Sequence, residues 1–261
     1  MVRVTVPAES ADVATDLLWQ FGPQAVSESE DGTLIVLIAG FDHPDTAAAA
    51  HQAATEQFSA DLEIADLGSW VETWRAGEPR HRVGPFCLRL PEHAPDGTKI
   101  DLVIEPGATF GYSHASTRLA LELLSAIELS GCRVADIGCG SGVLAIAAAH
   151  MGATPVHAVD IDERAVEIAD RNAVANGVAV RAKPGSVAAL PDPHYDVILA
   201  NLLAPTLCNL ASTIADRAKG GTVIVVSGLL QADEARVCQA FAPRLVRARR
   251  AEHEWLALMF A

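Results

Sequence analysis

The sequence predicts a two-part α/β protein. A small α+β domain of the ferredoxin-like β-α-β-β-α-β kind at residues 1–67 precedes a larger α/β domain at residues 107–261, built on a seven-stranded, mostly parallel sheet. Three observations predict it. The first quarter of the chain reads as strand, helix, two strands, helix, strand; the second half alternates strands with helices; and the final stretch carries two β-rich runs with no helix between them, which implies a terminal antiparallel hairpin.

In order along the chain, Val2 to Val6 alternates as a strand, and Ser10 to Phe21 carries Val13, Leu17, Leu18 and Phe21 at helical spacing until Gly22-Pro23 stops it. Ala25 to Glu30 and Thr33 to Ala39 read as a hairpin across Asp31-Gly32. Beyond Pro44 an alanine-rich helix runs to about Phe58, and Asp61 to Leu67 alternates again. Residues 68–106 read as a connector made of a linker helix and a hairpin. Trp70 and Trp74 lie one helical turn apart, a spacing that favours a packing anchor over a ligand platform, and the β runs Phe86 to Leu90 and Lys99 to Ile104 flank a Pro-Asp-Gly turn. Strands are then expected at Arg133–Ile137, Val156–Ile161, Val178–Ala182, Tyr195–Ala200, Thr222–Ser227, Leu245–Arg249 and Trp255–Phe260. Helices are expected at Val143–Met151, Glu163–Asn176, Pro205–Ala218 and Gln231–Phe241, covering both faces of the sheet.

Composition narrows the function. A chain of 261 residues, half apolar and one-fifth charged, can bury a substantial core and is neither disordered nor a disulfide scaffold. Its 19 basic and 33 acidic side chains give a net charge of −14, which repels a phosphate backbone and favours a basic protein or a small molecule over nucleic acid. Five cysteines without a C-x-x-C pair read as reduced cytoplasmic thiols, with no metal cluster expected. Met1 to Val6 enters strand alternation directly, without a signal-peptide core. Val197 to Ala215 carries no charge, yet Asn201, Pro205 and Asn209 interrupt it, as in a buried strand, a turn and a helix rather than a membrane span.

The chemistry concentrates at Val134-Ala135-Asp136-Ile137-Gly138-Cys139-Gly140-Ser141-Gly142, a strand entering a glycine-rich turn that opens a helix. Such a turn admits a ligand close to exposed backbone N–H groups, although similar loops also serve simply as tight connections. Val159-Asp160-Ile161-Asp162 ends the next strand, where the Asp160 carboxylate can accept both hydroxyls of a ribose. The spacing is G-x-G-x-G; a dinucleotide fingerprint would need glycine at Val143. Asp136 just before the turn opposes a pyrophosphate and suits a cationic amino group or sulfonium. The cofactor expected is S-adenosylmethionine.

On these motifs the chain resembles the class I, Rossmann-like methyltransferases, and more narrowly the family that methylates ribosomal protein L11. Glu105-Pro106-Gly107-Ala108-Thr109-Phe110-Gly111, with His114 and Ser116-Thr117-Arg118, is similar to the family segment D-P-G-x-x-F-G-T-G-x-H-x-T-T-R that covers the methionine part of the cofactor. Glu105 stands where that segment has Asp, and Tyr112-Ser113 makes it one residue shorter. Ala200-Asn201-Leu202-Leu203-Ala204 is similar to the family's A-N-I-L-A, Ser227-Gly228-Leu229-Leu230 to its S-G-I-L, and Glu254-Trp255 to the E-W opening its last strand.

The resemblance implies an S-adenosylmethionine-dependent transfer of methyl groups to lysine or N-terminal amines, with ribosomal protein L11 as client and residues 1–67 holding it. It implies cofactor contacts from Phe110, Thr117, Asp136, Gly138, Gly140, Gly142, Asp160, Ile161, Ser186 and Asn201, and a lid or substrate role for Tyr112 and His114. Asn201 and the carbonyl of Leu202 would accept the amine's hydrogens and aim its lone pair; alternatively Asn201 only caps the turn that follows. His114 reads as a hydrogen-bonding strut or a weak base, and Arg118 as part of the lid or of a surface ion pair. The attacked methyl sits on an already activated leaving group, so alignment and desolvation suffice. A small-molecule methyltransferase, a non-catalytic cofactor-binding protein and an NAD-dependent oxidoreductase are the competing readings.

Overall fold

The computed structural model describes residues 1–23, 25–41, 43–62, 79–105 and 114–261. Trp70 and Trp74 lie outside the described residues. The chain forms two compact units, which divide between Pro79 and Arg80.

In the smaller unit the elements are β1 (Val2–Pro7), α1 (Ala11–Trp19), β2 (Ala25–Asp31), β3 (Leu34–Gly40), α2 (Pro44–Thr55) and β4 (Ser59–Leu62). The strands form an antiparallel sheet in the order β2-β3-β1-β4. Alternation along β1 turns Val2, Val4 and Val6 into a core shared with Ala11, Ala14 and Leu18 of α1 and Ala47, Ala50 and Ala54 of α2. Alanine at the three buried positions of α2 brings that helix close to the sheet, and Pro44 starts it in a conformation its ring already favours.

The larger unit opens with β5 (His81–Val83), β6 (Phe86–Arg89) and β7 (Ile100–Val103). Here one expectation is corrected. The runs around Phe86 and Lys99 are not the two arms of a hairpin: β6 and β7 pair in parallel, Phe86 opposite Ile100 and Arg89 opposite Val103, and the antiparallel partner of β6 is β5. Residues 80–105 therefore belong with the large unit rather than forming a connector. The chain between β6 and β7 returns to its starting edge, secured by the buried Arg89, whose guanidinium holds Asp101 at 2.7 Å and donates to the carbonyls of Leu90 and His93.

After α3 (Ala115–Leu124) come β8 (Val134–Ile137), α4 (Val143–His150), β9 (Val156–Asp160), α5 (Glu163–Ala175), β10 (Val180–Pro184), β11 (Tyr195–Asn201), α6 (Ala204–Asp216), β12 (Ala218–Leu230), α7 (Glu234–Ala240), β13 (Val246–Glu252) and β14 (Trp255–Phe260). The seven strands run in the order β10-β9-β8-β11-β12-β14-β13, and β14 alone runs opposite to the other six. The expected α/β sheet with its antiparallel end is present. β12 is far longer than Thr222–Ser227, reaching from Ala218 to Leu230. Strand β8 and the middle of β11 are buried on both faces, as in a parallel sheet covered on both sides, and Val143 through Ala148 of α4 are all buried. A parallel sheet delivers the carboxyl ends of β8, β9, β11 and β12 to one edge, where ligands bind in open α/β folds.

Candidate functional site

At that edge β8 runs into the turn Gly138–Gly142. Gly138, Gly140 and Gly142 have φ of +70°, +53° and +79°, which turns the backbone sharply into α4. The turn is fastened to the end of β9: the N–H groups of Gly138 and Cys139 donate to the carbonyl of Val159 at 2.8 and 3.1 Å, and Gly140 N–H donates to Asp160 Oδ2 at 2.9 Å. A side chain on Gly138 would overlap that of Leu202, so glycine there lets the turn and the end of β11 meet.

The acids of the turn have different surroundings. Asp160 accepts from Gly140 N–H through one oxygen and from Asp162 N–H, at 3.0 Å, through the other. Asp136 is 1% exposed; its Oδ2 accepts from Ala145 N–H at 3.0 Å, while its Oδ1 is buried with no hydrogen-bond partner among the described residues. Burial, aided by the nearby Asp160 carboxylate and opposed by the Ala145 hydrogen bond, pushes the Asp136 carboxyl up to about 7. An unsatisfied buried acceptor costs about 1–3 kcal/mol, which a donor or cation brought by a ligand would recover. Ile161, beside Asp160, is 85% exposed, an open apolar surface at the same edge. Ser186 is exposed and precedes the single helical turn Val187–Ala189; the preceding Gly185 N–H donates to the Asp160 carbonyl at 2.7 Å, which ties the end of β10 to the end of β9.

Across the turn, β11 ends at Asn201. Its Nδ2 donates to Thr117 Oγ1 at 3.1 Å and its Oδ1 accepts from Ser227 Oγ at 2.9 Å, while Leu202 N–H donates to the Ser227 carbonyl at 3.0 Å. Helix α6 begins after Leu203 without any side-chain cap, so the Asn201 amide does not serve as one. Gly228 makes room for this corner: a Cβ there would lie 2.8 Å from the Leu202 carbonyl oxygen and 3.1 Å from Asn201 Oδ1. The Thr117 hydroxyl, expected among the cofactor contacts, is engaged with Asn201.

His114 caps α3, its Nδ1 accepting from Ser116 N–H at 3.2 Å, and its ring meets Trp255 edge-on at 4.7 Å between centroids. Burial, with Arg118 nearby, lowers the imidazole to about 3, so it stays neutral at physiological pH. Arg118 pairs with Glu252 of β13. Phe110 and Tyr112 lie outside the described residues.

A family model of ribosomal protein L11 methyltransferase (PrmA) matches residues 1–261. The chain belongs to this family. A ribosomal protein L11 methyltransferase of Thiobacillus denitrificans is 34% identical over 99% of this chain and 97% of its own. One of Symbiobacterium thermophilum is 33% identical over 73% of this chain, and that match spans 64% of the relative's length. Among solved structures, the ribosomal protein L11 methylase of Lactobacillus delbrueckii subsp. bulgaricus superposes with a TM-score of 0.64 at 27% identity, over 68% of this chain and 95% of that one.

The cofactor of an L11-methyltransferase-family member is S-adenosylmethionine, and the residues present fit it. A buried carboxylate oxygen lacking a partner and a second acid beside a tight glycine turn suit a ligand with a cationic amino acid end, and an exposed isoleucine next to Asp160 suits an adenine face. Two asparagines at this edge, Asn172 buried and Asn176 half-buried, carry no motif in the sequence. Asn172 and Asn176 of and after α5 bond the backbone at residues 103–105, and Asn172 also bonds the glycine turn. Their only sequence signal is the i, i+4 spacing.

Proposed function

We propose that this protein is a cytoplasmic enzyme that transfers methyl groups from S-adenosylmethionine to lysine side-chain or N-terminal amines of ribosomal protein L11. The observation that carries the reading is the Asn201 corner, an amide fixed on both sides by Thr117 and Ser227 beside the carbonyl of Leu202, at the same strand edge as Asp136 and Asp160. S-adenosylmethionine supplies an activated methyl group, so the protein's task is to orient and desolvate the amine. The second lone pair of Asn201 Oδ1 and the Leu202 carbonyl accept the amine's hydrogens and direct its lone pair. An amine of ordinary pKa near 10.4 must shed a proton first, and desolvation at this edge lowers that value. Asp136 and Asp160 hold the amino acid and ribose ends of the cofactor, the glycine turn approaches its backbone-facing side, and Ile161 and Ser186 flank the base.

The net charge of −14 supports a basic protein client over nucleic acid. Residues 1–67 hold that client in this reading, as the resemblance implies. Among the described residues no helix is long and apolar enough to cross a membrane.

The test is methyl transfer from isotopically labelled S-adenosylmethionine to purified L11 and, in parallel, to a metabolite extract, with the modified L11 positions mapped by mass spectrometry. Label on L11 amines supports the reading. Label confined to metabolites favours a small-molecule enzyme, and cofactor binding with no turnover favours a binding protein.

A further inference from the structure

Asn172 of helix α5 and Asn176 just after its end lie one turn apart, and the reaction uses neither. Asn172 is 2% exposed, and its amide is fully engaged: Oδ1 accepts from Glu105 N–H at 2.9 Å, and Nδ2 donates to the Glu105 and Ser141 carbonyls, both at 2.9 Å. Asn176 repeats the pairing one step back along the strand, accepting from Val103 N–H at 2.9 Å and donating to the Val103 carbonyl at 2.7 Å. A second Nδ2 hydrogen of Asn176 reaches the Asn172 carbonyl at 2.7 Å.

The spacing has a geometric reason. Four residues of helix rise about 6.0 Å, and two residues of extended chain advance about 6.6 Å. Amides at i and i+4 on a helix therefore match the N–H and C=O groups that alternate residues of a strand present on one side. The two asparagines stand in for a neighbouring strand along residues 103–105, on the side of the chain turned away from β6. The third bond of Asn172, to Ser141, adds the glycine turn to the same clamp. Ser141 lies between Gly140 and Gly142, and Glu105 opens the segment whose sequence resembles the family's cofactor cover.

We propose that Asn172 and Asn176 are positioning residues that set the affinity for S-adenosylmethionine by locking the backbone at residues 103–105 to the glycine turn. The proposal rests on the cofactor reading above. Neither side chain needs to touch the ligand. Without the clamp, two backbone segments must be ordered at the moment of binding, and that ordering is subtracted from affinity. Once the ligand is bound both segments are held, so the methyl-transfer step itself is spared.

The test compares the wild-type protein with Asn172→Asp and Asn176→Ala. Asn172→Asp keeps the shape but removes both donors and sets a carboxylate against two carbonyls; Asn176→Ala removes only the Val103 pair and the Asn172 bond. Calorimetry with S-adenosylhomocysteine should show Kd raised about fivefold or more in each folded variant. KM for S-adenosylmethionine should rise with it, while kcat at saturating cofactor stays within about threefold. A rise below fivefold in both variants, or a fall in kcat at unchanged Kd, overturns the proposal. A purely structural role would lower the melting temperature without this split. If Asn172→Asp does not fold, Asn176→Ala decides, together with amide hydrogen exchange on the ligand-free wild type. Val103 and Glu105 amides should then be protected, and rapid exchange there overturns the clamp. Wild-type protein that binds no S-adenosylhomocysteine would instead remove the cofactor reading. A wild type that binds while the variants bind equally well removes only the role of the asparagines.

Discussion

Replacing Gly228 with alanine should disable the Asn201 corner while leaving the cofactor pocket nearly intact. The residue has φ +79°, a left-handed conformation that costs an L-residue about 1–2 kcal/mol. The added Cβ would stand 2.8 Å from the Leu202 carbonyl oxygen and 2.9 Å from its carbon, where 3.4 Å is the beginning of ordinary contact. Both are backbone atoms, so relief requires moving the carbonyl by about 0.6 Å, the difference of those distances. A displacement of about 1 Å in a positioning group can cost on the order of a hundredfold in rate, so a loss of about tenfold or more in kcat is expected. The assay is initial-rate methyl transfer to L11 at saturating S-adenosylmethionine, with calorimetric S-adenosylhomocysteine binding on the same preparation. Kd should change less than about threefold, because the nearest atoms a Cβ there would meet belong to Leu202 and Asn201 and not to the glycine turn. A folded variant with kcat within twofold of wild type would refute the claim that the Leu202 carbonyl aims the amine.

Asn201→Ala should lower methyl transfer by about a hundredfold or more with S-adenosylhomocysteine affinity within about threefold, read by the same two assays; unchanged turnover would take Asn201 out of the reaction. Cofactor affinity should fall as pH drops through about 7, where the buried Asp136 carboxyl gains its proton, and Asp136→Asn should flatten that dependence in pH-resolved calorimetry. The same shift acts on the ligand-free fold with a defined sign. Asp136 keeps its proton in the folded chain from about pH 4 to 7 and loses it in the unfolded chain, so its burial erodes stability as pH rises across that window, and Asp136→Asn should remove the erosion in urea titrations. His157 should act the other way. Burial, partly offset by Asp192, holds this imidazole below its ordinary 6.5, so the unfolded chain takes up the proton first and stability falls as pH drops below that value; His157→Gln should flatten that slope.

The parts of the molecule legible in the sequence are those whose causes are local. Strands β8, β9 and β11 announce themselves as short apolar runs because helices cover both faces. The glycine turn is readable because its backbone needs residues without a side chain, and Asp160 because it closes the next strand. Other features depend on partners far along the chain. Pro95-Asp96-Gly97 looks like a hairpin turn, yet Asp96 accepts from Thr98 N–H in a local loop and Arg89 reaches forward to Asp101, so that β6 and β7 pair in parallel. Asn172 and Asn176 find their backbone partners 67 and 73 residues away, which no local pattern encodes. Trp255 meets His114 because β14 runs against the sheet and brings its first residue to the reactive edge. Thr117 accepts from an asparagine 84 positions on, a pairing that no local pattern announces.

The placement of β14 between β12 and β13 also bears on how the chain is made. Among the described strands β13 pairs with β14 alone, and it is synthesised first. Val246–Glu252 thus emerges from the ribosome as a lone ribbon with open hydrogen-bonding edges, the situation in which stray pairing with other nascent chains begins. Arg247, Arg249 and Arg250 give this ribbon a dense positive charge in an otherwise acidic protein, so two such ribbons repel each other while each waits for its own partner.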